Sequence, residues 1–578
     1  MINKEIAKVF FEIADFLEME DIPFRPQAYR RAALVLMNLE EDVGVIYKRG
    51  GKEALDKEVS GIGESLAKKI EEYIQTHKIK YLEQLRKRTP LDMEKLNAVE
   101  GLGPKRLKIL YTKLGITTLE DLEEVAKSGK VAPLFGFGEK IEQNILESLS
   151  FFEKSKGRFL LGEMWSAVEE IKDKLSSLKE VERIDVAGSI RRGRETVGDV
   201  DFLVQAKDSK KIMEFFVSLP GVVKIWGKGE TRSSIKTEQG FDVDLRIVDK
   251  KSYGSALQYF TGSKDHNIAT RKIAIHKGLK LSEYGLFKGE EYIAGETEDG
   301  IYNLLGLPFI PPEIRENTGE IEAGFENKLP KLVEQREIKG DLHCHSNWSD
   351  GQNSILELAQ RAISLGYEYL GITDHGKLMR AQNGLDEKRL LEQGKEIDVL
   401  NKEFEKKKIN FRLLKSVEAN ILKDGSIDIN NEVLAKLDYV AAGIHSSIKM
   451  DGEEMTDRFI KAMKNPYVKM IVHLTGRKIK KRNEYELDFD KIFKEVKISN
   501  TILEINAQPI RLDIRDVRIR EAKEQGIKMS INTDAHSKKD LSLISIGILQ
   551  ARRGWAEQED IINTLPLAKL LNFLKNNA

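Results

Sequence analysis

Six of the nine histidines in this 578-residue sequence fall beyond residue 340, at His343, His345, His375, His445, His473 and His536. They occupy short segments, DLHCHSNWSDG, GITDHG, AAGIHSS, IVHLTGR and INTDAHS, and three carboxylates accompany them: Asp350, Glu418 (in SVEANI) and Asp534. One histidine in an apolar run is ordinarily a satisfied core residue. Six that close successive runs, interleaved with acids, are the side chains that ligate divalent metals. His343 and His345 are two apart and share one face of a strand, whereas Cys344 alternates to the other.

A second chemistry is written into VAGSIRRGRETVGDVDFLV (186–204). Asp199 and Asp201 are two apart on an expected strand, so both carboxylates face one side of a sheet, and Asp244, in FDVDLRIV, falls on another strand whose alternation places it beside them. Three such carboxylates can hold a pair of Mg²⁺ or Mn²⁺ ions that activate an attacking hydroxyl and neutralise a leaving pyrophosphate. Upstream, Gly188 and Ser189 precede Arg191, Arg192 and Arg194, and Gly198 abuts the acids. A small turn offering a hydroxyl, backbone amides and guanidinium groups suits a triphosphate. A D-x-D pair alone commonly marks a charged surface hairpin; the Ser, Arg and Gly before it and the later strand Asp make this set more specific.

These side chains need elements to carry them. Between about 181 and 248, the runs VERIDVAG, DVDFLVQA, VVKIWGKG and FDVDLRIVD, with one helix near 208–218, read as an α/β palm-like layer. Beyond about 335, YLGITDH, YVAAGIH, MIVHLTG, ILEINAQ and KMSINTDAH alternate with helical segments and end in polar residues able to bind metal. A βα barrel delivers strand ends to one mouth in this way. Residues 252–310 are mixed, and 311–338 combine Pro, Gly and charge in the manner of an exposed linker.

Residues 1 to about 150 read as helices. Within them VSGIGESLAKKI (59–70) and VEGLGPKRLKIL (99–110) each place Gly-x-Gly before a basic amphipathic helix, and LFGFGEKIEQNI (134–145) is a weaker third copy. Gly61, Gly63, Gly101 and Gly103 permit tight turns whose amides meet a DNA phosphate at a helix N-terminus, with Lys105 adding charge.

Composition sets the frame. The length gives a prior of about four domains. A 40% hydrophobic, 33% charged chain with no run of about 18 apolar residues excludes a membrane protein. The amphipathic, acid-containing N-terminus is unlike a signal peptide, and a single cysteine suits a reducing compartment, so the chain is expected in the cytoplasm. Lys+Arg and Asp+Glu are each 94, so any argument for nucleic-acid binding must be local.

The Gly-x-Gly elements resemble helix-hairpin-helix motifs, and residues 1 to about 315 resemble DNA polymerase family X, typified by DNA polymerase beta. The match rests on Gly188-Ser189-x-Arg191-Arg192-Gly193, on Gly198-Asp199-x-Asp201, and on YFTGS (259–263) followed by Asn267 and Arg271. The resemblance implies that Asp199, Asp201 and Asp244 are the metal-binding catalytic residues. It also implies that Ser189, Arg192, Gly198 and Arg158 contact the triphosphate with Gly188, that Tyr259, Phe260 and Gly262 lie against the incoming sugar, and that Asn267 and Arg271 flank the minor groove. Two features depart from the family. Asp242 stands where vertebrate relatives carry a basic residue that positions the primer. Lys69 and Tyr29 match a lyase nucleophile and its neighbour, but Phe24, Ser65 and Tyr81 replace supporting basic positions and only Arg25 keeps its charge; this leaves Lys69 as a phosphate-contacting lysine rather than a Schiff-base nucleophile.

The histidine set resembles the PHP (polymerase and histidinol phosphatase) domain over about 336–578, with all nine expected ligands in place: His343, His345, Asp350, His375, Glu418, His445, His473, Asp534 and His536. Mn²⁺ or Zn²⁺, up to three ions, suits these donors. Asp374 is expected to orient the site, and Arg511 to meet a phosphate. The fold expected is multidomain α+β and α/β: helical DNA-binding domains with helix-hairpin-helix motifs (1–85 and a fingers-like 86–150), a nucleotidyltransferase palm (151–250) and thumb (251–315), a linker (316–335) and a PHP-type distorted βα barrel (336–578). The function expected is a monomeric, gap-filling, template-dependent DNA polymerase acting on gapped or primed DNA and dNTPs, with 3′–5′ exonuclease and, further, abasic-site cleavage. Two other readings stand beside it: a nucleotidyltransferase for tRNA or a small molecule coupled to a phosphatase, and a non-enzymatic DNA scaffold.

Overall fold

The computed structural model describes residues 2–576 apart from 40, 60, 98, 100, 155 and 156. It divides into one unit of Met1–Lys156 with Lys480–Arg482, and another of Gly157–Ile479 with Asn483–Ala578.

The first unit is helical throughout its named elements: α1 (Ile2–Met19), α2 (Arg25–Asn38), α3 (Val43–Glu58), α4 (Glu64–Thr76), α5 (Lys80–Arg88), α6 (Met93–Asn97), α7 (Pro104–Leu114), α8 (Leu119–Lys127) and α9 (Glu139–Lys154). In α1, Ile6, Phe10, Ile13 and Leu17 recur every three or four residues and are buried, the stripe that a core-facing helix needs. A capping box starts α8: Thr118 accepts from the Asp121 amide, and Asp121 in turn accepts from Thr117 and Thr118, whose hydrogen bonds hold its carboxyl down to about 2. The three Gly-x-Gly copies share one turn. Gly61, Gly101 and Gly136 have φ of 88°, 84° and 81°, and the next amide donates back to Val59, Val99 or Leu134 respectively at 3.0–3.1 Å. Gly63 and Gly103 are then the N-caps of α4 and α7.

The second unit contains a five-stranded sheet of order β2-β4-β7-β6-β5, comprising β2 (Val181–Val186), β4 (Asp199–Ala206), β5 (Val222–Lys228), β6 (Arg232–Thr237) and β7 (Asp242–Ile247); β1 (Phe159–Leu160) pairs separately with β3 (Thr196–Val197). Strand β6 was not among the expected strands. Its alternation buries only Ser233, Ile235 and Thr237, so a strand with small polar residues on its inner face leaves little hydrophobic signal. One face of the sheet buries Val200, Phe202, Val204, Val243 and Leu245. A thumb-like layer follows, with β8 (Lys280–Ser282), β9 (Gly285–Lys288) and β10 (Glu291–Ala294) beside helices Tyr253–Thr261, Lys264–His276 and Glu298–Leu305.

The segment expected as an exposed linker is packed instead. Arg315 is fully buried and donates to Glu298 and to the Ile310 carbonyl. Glu320 is buried against His266, and Leu332 and Val333 pack into two cores. The charges that signalled exposure are consumed by buried partners, which a count of charged residues cannot reveal.

Parallel strands β11 (Gly340–Cys344), β12 (Tyr369–Ile372) and β13 (Arg412–Lys415) form one sheet, and β14 (Glu418–Asn420), β15 (Val440–Gly443), β16 (Val468–Ile471), β17 (Ile502–Asn506) and β18 (Met529–Asn532) another. Bridges Cys344–Ala535 and His375–Glu418 join them at both seams, giving a distorted barrel. Its strands are buried almost throughout, as parallel strands covered on both faces are. Leu512 and Ile546 from this region complete the core beneath the palm sheet. Among the described residues, no helix is long and apolar enough to cross a membrane.

Candidate active sites

Strands β4 and β7 run in parallel with Asp201 opposite Asp244 and Asp199 opposite Asp242, so the three expected catalytic carboxylates share one sheet face. Burial and the charges of Asp199 and Asp244 raise Asp201 to about 6. Mutual repulsion of this kind is what a divalent cation relieves, and the donor set fits one. Asp244 is anchored by the Ser234 hydroxyl and by Arg232 at 3.2 Å; Ser234 lies on the overlooked β6. Asp242 is engaged elsewhere, accepting from Trp226 at 3.0 Å and Lys236 at 3.2 Å.

Gly188 has φ 66°, and a Cβ there would lie 2.8 Å from Asp201 Oδ2, so glycine is required both by conformation and by the approach of the turn to the acids. Helix Gly188–Arg191 carries Ser189. Arg192 donates from Nη1 to the Thr261 carbonyl and lies beside Gly262, which joins the arginine turn to YFTGS. The Asn267 amide donates to the Tyr259 carbonyl at 2.7 Å, Arg271 donates to the Asn267 carbonyl at 3.1 Å, and Tyr259 and Phe260 meet edge to face. Arg158 bonds Thr196 and stands beside Gly198. All ten expected nucleotide contacts therefore border the acids or one another. Arg191, in contrast, is committed to Glu298 through two hydrogen bonds of 2.9 and 2.6 Å.

At the barrel mouth, three sets of side chains can each surround an ion: His345, Asp350, His375 and His536; His343, His345 and Asp534; and His375, Glu418 and His445. His473 Nε2 stands 2.8 Å from Glu418 Oε1, outside these sets. His375 Nδ1 and Glu418 Oε2 are 2.6 Å apart, yet neither makes a hydrogen bond, and His345 Nδ1 has no partner either. Buried lone pairs left open in this way fit metal ligation. Burial, with the charges of His375 and His536, holds His345 down to about 3, and burial with Arg511 holds His473 down to about 4. Both rings are neutral and have lone pairs to give.

Further buried partners, not expected from the sequence, surround these side chains. Glu504, fully buried on β17, accepts from His343 Nδ1 at 2.6 Å and from the His473 amide at 2.8 Å. Asn506 donates to Glu504 and Asp534, and Asn420 meets His445 Nδ1 at 2.9 Å. Such bonds fix ring orientation. The available signal was an acid inside the apolar run ILEINAQ, where a buried charge demands a partner. Asp374 receives Ser346, Ser349 and Gln393 and so shapes the turn leading to Asp350. Arg511 lies 3.7 Å from Asp534, and Cys344 points away, bonding the Gly371 carbonyl.

In the helical unit Lys69 Nζ stands over the rings of Tyr29 and Tyr81, 5.9 and 5.8 Å from their centres. Burial and the nearby Arg25 lower its pKa, so Arg25, the one supporting position that keeps its charge, does act on Lys69. Lys105 is exposed on the first turn of α7.

Residues 1–79 match the helix-hairpin-helix domain family and 93–150 the SAM-like helix-hairpin-helix tandem. Residues 162–224 match the DNA polymerase beta palm, 256–316 the DNA polymerase beta thumb and 341–508 the PHP domain. A probable phosphatase of Thermoanaerobacter sp. (strain X514) is 28% identical across 41% of this chain and 94% of its own length. The DNA polymerase/3′-5′ exonuclease PolX of Bacillus subtilis (strain 168) is 40% identical, with the whole of both chains covered. With the acid triad, the arginine turn and the histidine-lined mouth in the order those families require, this chain belongs to DNA polymerase family X, in the form that carries a C-terminal PHP domain.

Proposed function

We propose that the chain is a cytoplasmic, monomeric, template-dependent polymerase that fills short gaps in DNA, and that its barrel is a 3′–5′ exonuclease that also cleaves at abasic sites. The observation that carries this reading is the presence, in one chain, of two chemically distinct metal-binding constellations: an all-carboxylate set on the palm sheet and an imidazole-rich set at the barrel mouth. Bound divalent ions, Mg²⁺ or Mn²⁺ in the palm and up to three Mn²⁺ or Zn²⁺ in the barrel, supply the Lewis acidity that activates the attacking oxygen and offsets charge on the leaving group.

The residues divide the remaining work. Asp199, Asp201 and Asp244 hold the palm ions. Arg192 and Arg158, with Ser189 and the Gly188 and Gly198 backbone, receive the triphosphate. Tyr259, Phe260 and Gly262 crowd the sugar, and Asn267 and Arg271 line the nascent pair. Asp242, tied to Lys236 and Trp226, is not a palm ligand. In the barrel the nine ligands hold the ions, Glu504 and Asn420 fix their rings, and Arg511 meets the phosphate. The hairpin glycines Gly61, Gly63, Gly101 and Gly103 and the side chain of Lys105 grip phosphates without reading bases, and Lys69 serves as a phosphate contact.

The test incubates purified protein with Mn²⁺ and a labelled primer annealed beside a one-nucleotide gap, with and without dNTPs. Template-directed extension with dNTPs and shortening from the 3′ end without them support both assignments. Incorporation that needs no template restores the transfer enzyme for tRNA or a small molecule, and neither product from folded, metal-loaded protein restores the scaffold.

A further inference from the structure

Arg553 ends the helix Ile544–Arg553 on the barrel side, yet its guanidinium serves the palm. Nη1 donates to the Arg192 carbonyl at 2.9 Å and to Glu316 Oε1 at 3.0 Å, while Nη2 donates to Asp516 Oδ2 at 2.6 Å. Its side chain is 4% exposed. Glu316 Oε1 accepts at the same time from Arg192 Nε at 3.1 Å, so one carboxylate clamps both arginines. One turn along the same helix, Leu549 Cβ would lie 3.1 Å from a Cβ on Gly193, whose φ is 64°. The turn 188–194 is thus seated on a barrel helix by a hydrogen bond to its main chain, a shared ion pair and a close steric fit. Arg192 has no comparable support from the palm sheet: its other bond runs to the Thr261 carbonyl.

We infer that Arg553 and Glu316 are positioning residues for nucleotide addition, through which the hydrolytic domain fixes Arg192 for the triphosphate of the incoming dNTP. The inference rests on the reading of Arg192 as a triphosphate contact. A fork that binds the main-chain carbonyl and the carboxylate together fixes both the origin and the aim of the Arg192 side chain. A triphosphate arriving at Arg192 takes over the neutralising role of Glu316, and Arg553 keeps that carboxylate paired. A lysine at 553 retains a cation for Asp516 but loses the planar fork that serves Arg192, Glu316 and Asp516 together, with a longer bond to the Glu313 carbonyl.

Steady-state gap filling by the full chain separates the outcomes. Arg553→Lys is expected to raise the KM for dNTP about ten-fold, the worth of one hydrogen bond to a charged group, with kcat and 3′–5′ degradation each within about two-fold of wild type. Glu316→Gln should also raise that KM, and Arg192→Lys with Arg553→Lys should be no worse than Arg192→Lys alone. A wild-type KM in Arg553→Lys, while Arg192→Lys raises it, overturns the positioning role and leaves the triphosphate reading intact. A wild-type KM in Arg192→Lys overturns that reading, and this inference with it. If Arg553→Lys loses both activities through misfolding, Glu316→Gln decides: an unchanged KM there refutes the inference.

Discussion

Replacing Asp201 by Asn is expected to abolish synthesis and, unusually for a catalytic substitution, to stabilise the metal-free protein. Burial and the facing Asp199 and Asp244 raise the Asp201 carboxyl from 3.8 to about 6. At about 1.36 kcal/mol per unit, its ionised form costs the fold at most ~3 kcal/mol, and solvent at the open edge of the site reduces the expectation to ~1–2 kcal/mol. A carboxyl whose folded pKa lies above its unfolded one holds its proton more tightly when folded. The cost is therefore absent below about pH 4 and complete once the pH has risen through about 6. Thermal denaturation in chelator compares the two proteins with their barrels equally stripped. At pH 7.5 the variant should melt about 1–2 °C above wild type, the gap should shrink toward pH 5, and added Mg²⁺ should raise the wild type but not the variant through the palm site. A variant less stable than wild type at pH 7.5, or a gap indifferent to pH, refutes the argument that three carboxylates repel one another there.

Three further outcomes follow from single contacts. Glu504→Gln weakens the bond that orients His343 and should lower barrel metal content and hydrolysis about 10–100-fold while gap filling persists; metal analysis beside both assays checks this. Gly188→Ala meets both a positive φ and Asp201, a strain of roughly 1–2 kcal/mol, and should slow extension about ten-fold without affecting hydrolysis, as single-turnover kinetics will report. Lys105→Ala should weaken DNA binding alike for all sequences and reduce the slope of log affinity against log salt by about 1, measured by fluorescence titration.

Where spacing itself carries the geometry, the sequence was legible. Two aspartates two apart on a strand share a face in any sheet, and the register of β4 on β7 sets Asp244 beside them. The barrel ligands were legible because parallel strands deliver their ends to one mouth. What was hidden depends on tertiary pairing. Strand β6 carries Ser and Thr on its inner face and so resembles a polar loop, although Ser234 anchors Asp244. Residues 311–338 resembled a linker because Arg315 and Glu320 look solvated until Glu298 and His266 are brought to them. Arg553 shows no local pattern at all, since its acceptors Arg192 and Glu316 lie hundreds of residues upstream.

Two separate active sites in one chain are tested most directly by the pair of variants Asp201→Ala and His345→Ala in the gapped-primer assay, with folding verified by circular dichroism. Asp201 belongs only to the palm set and His345 only to the barrel sets. Asp201→Ala should lose extension and keep 3′–5′ shortening, and His345→Ala should keep extension and lose shortening. Loss of both activities in either folded variant would contradict that separation.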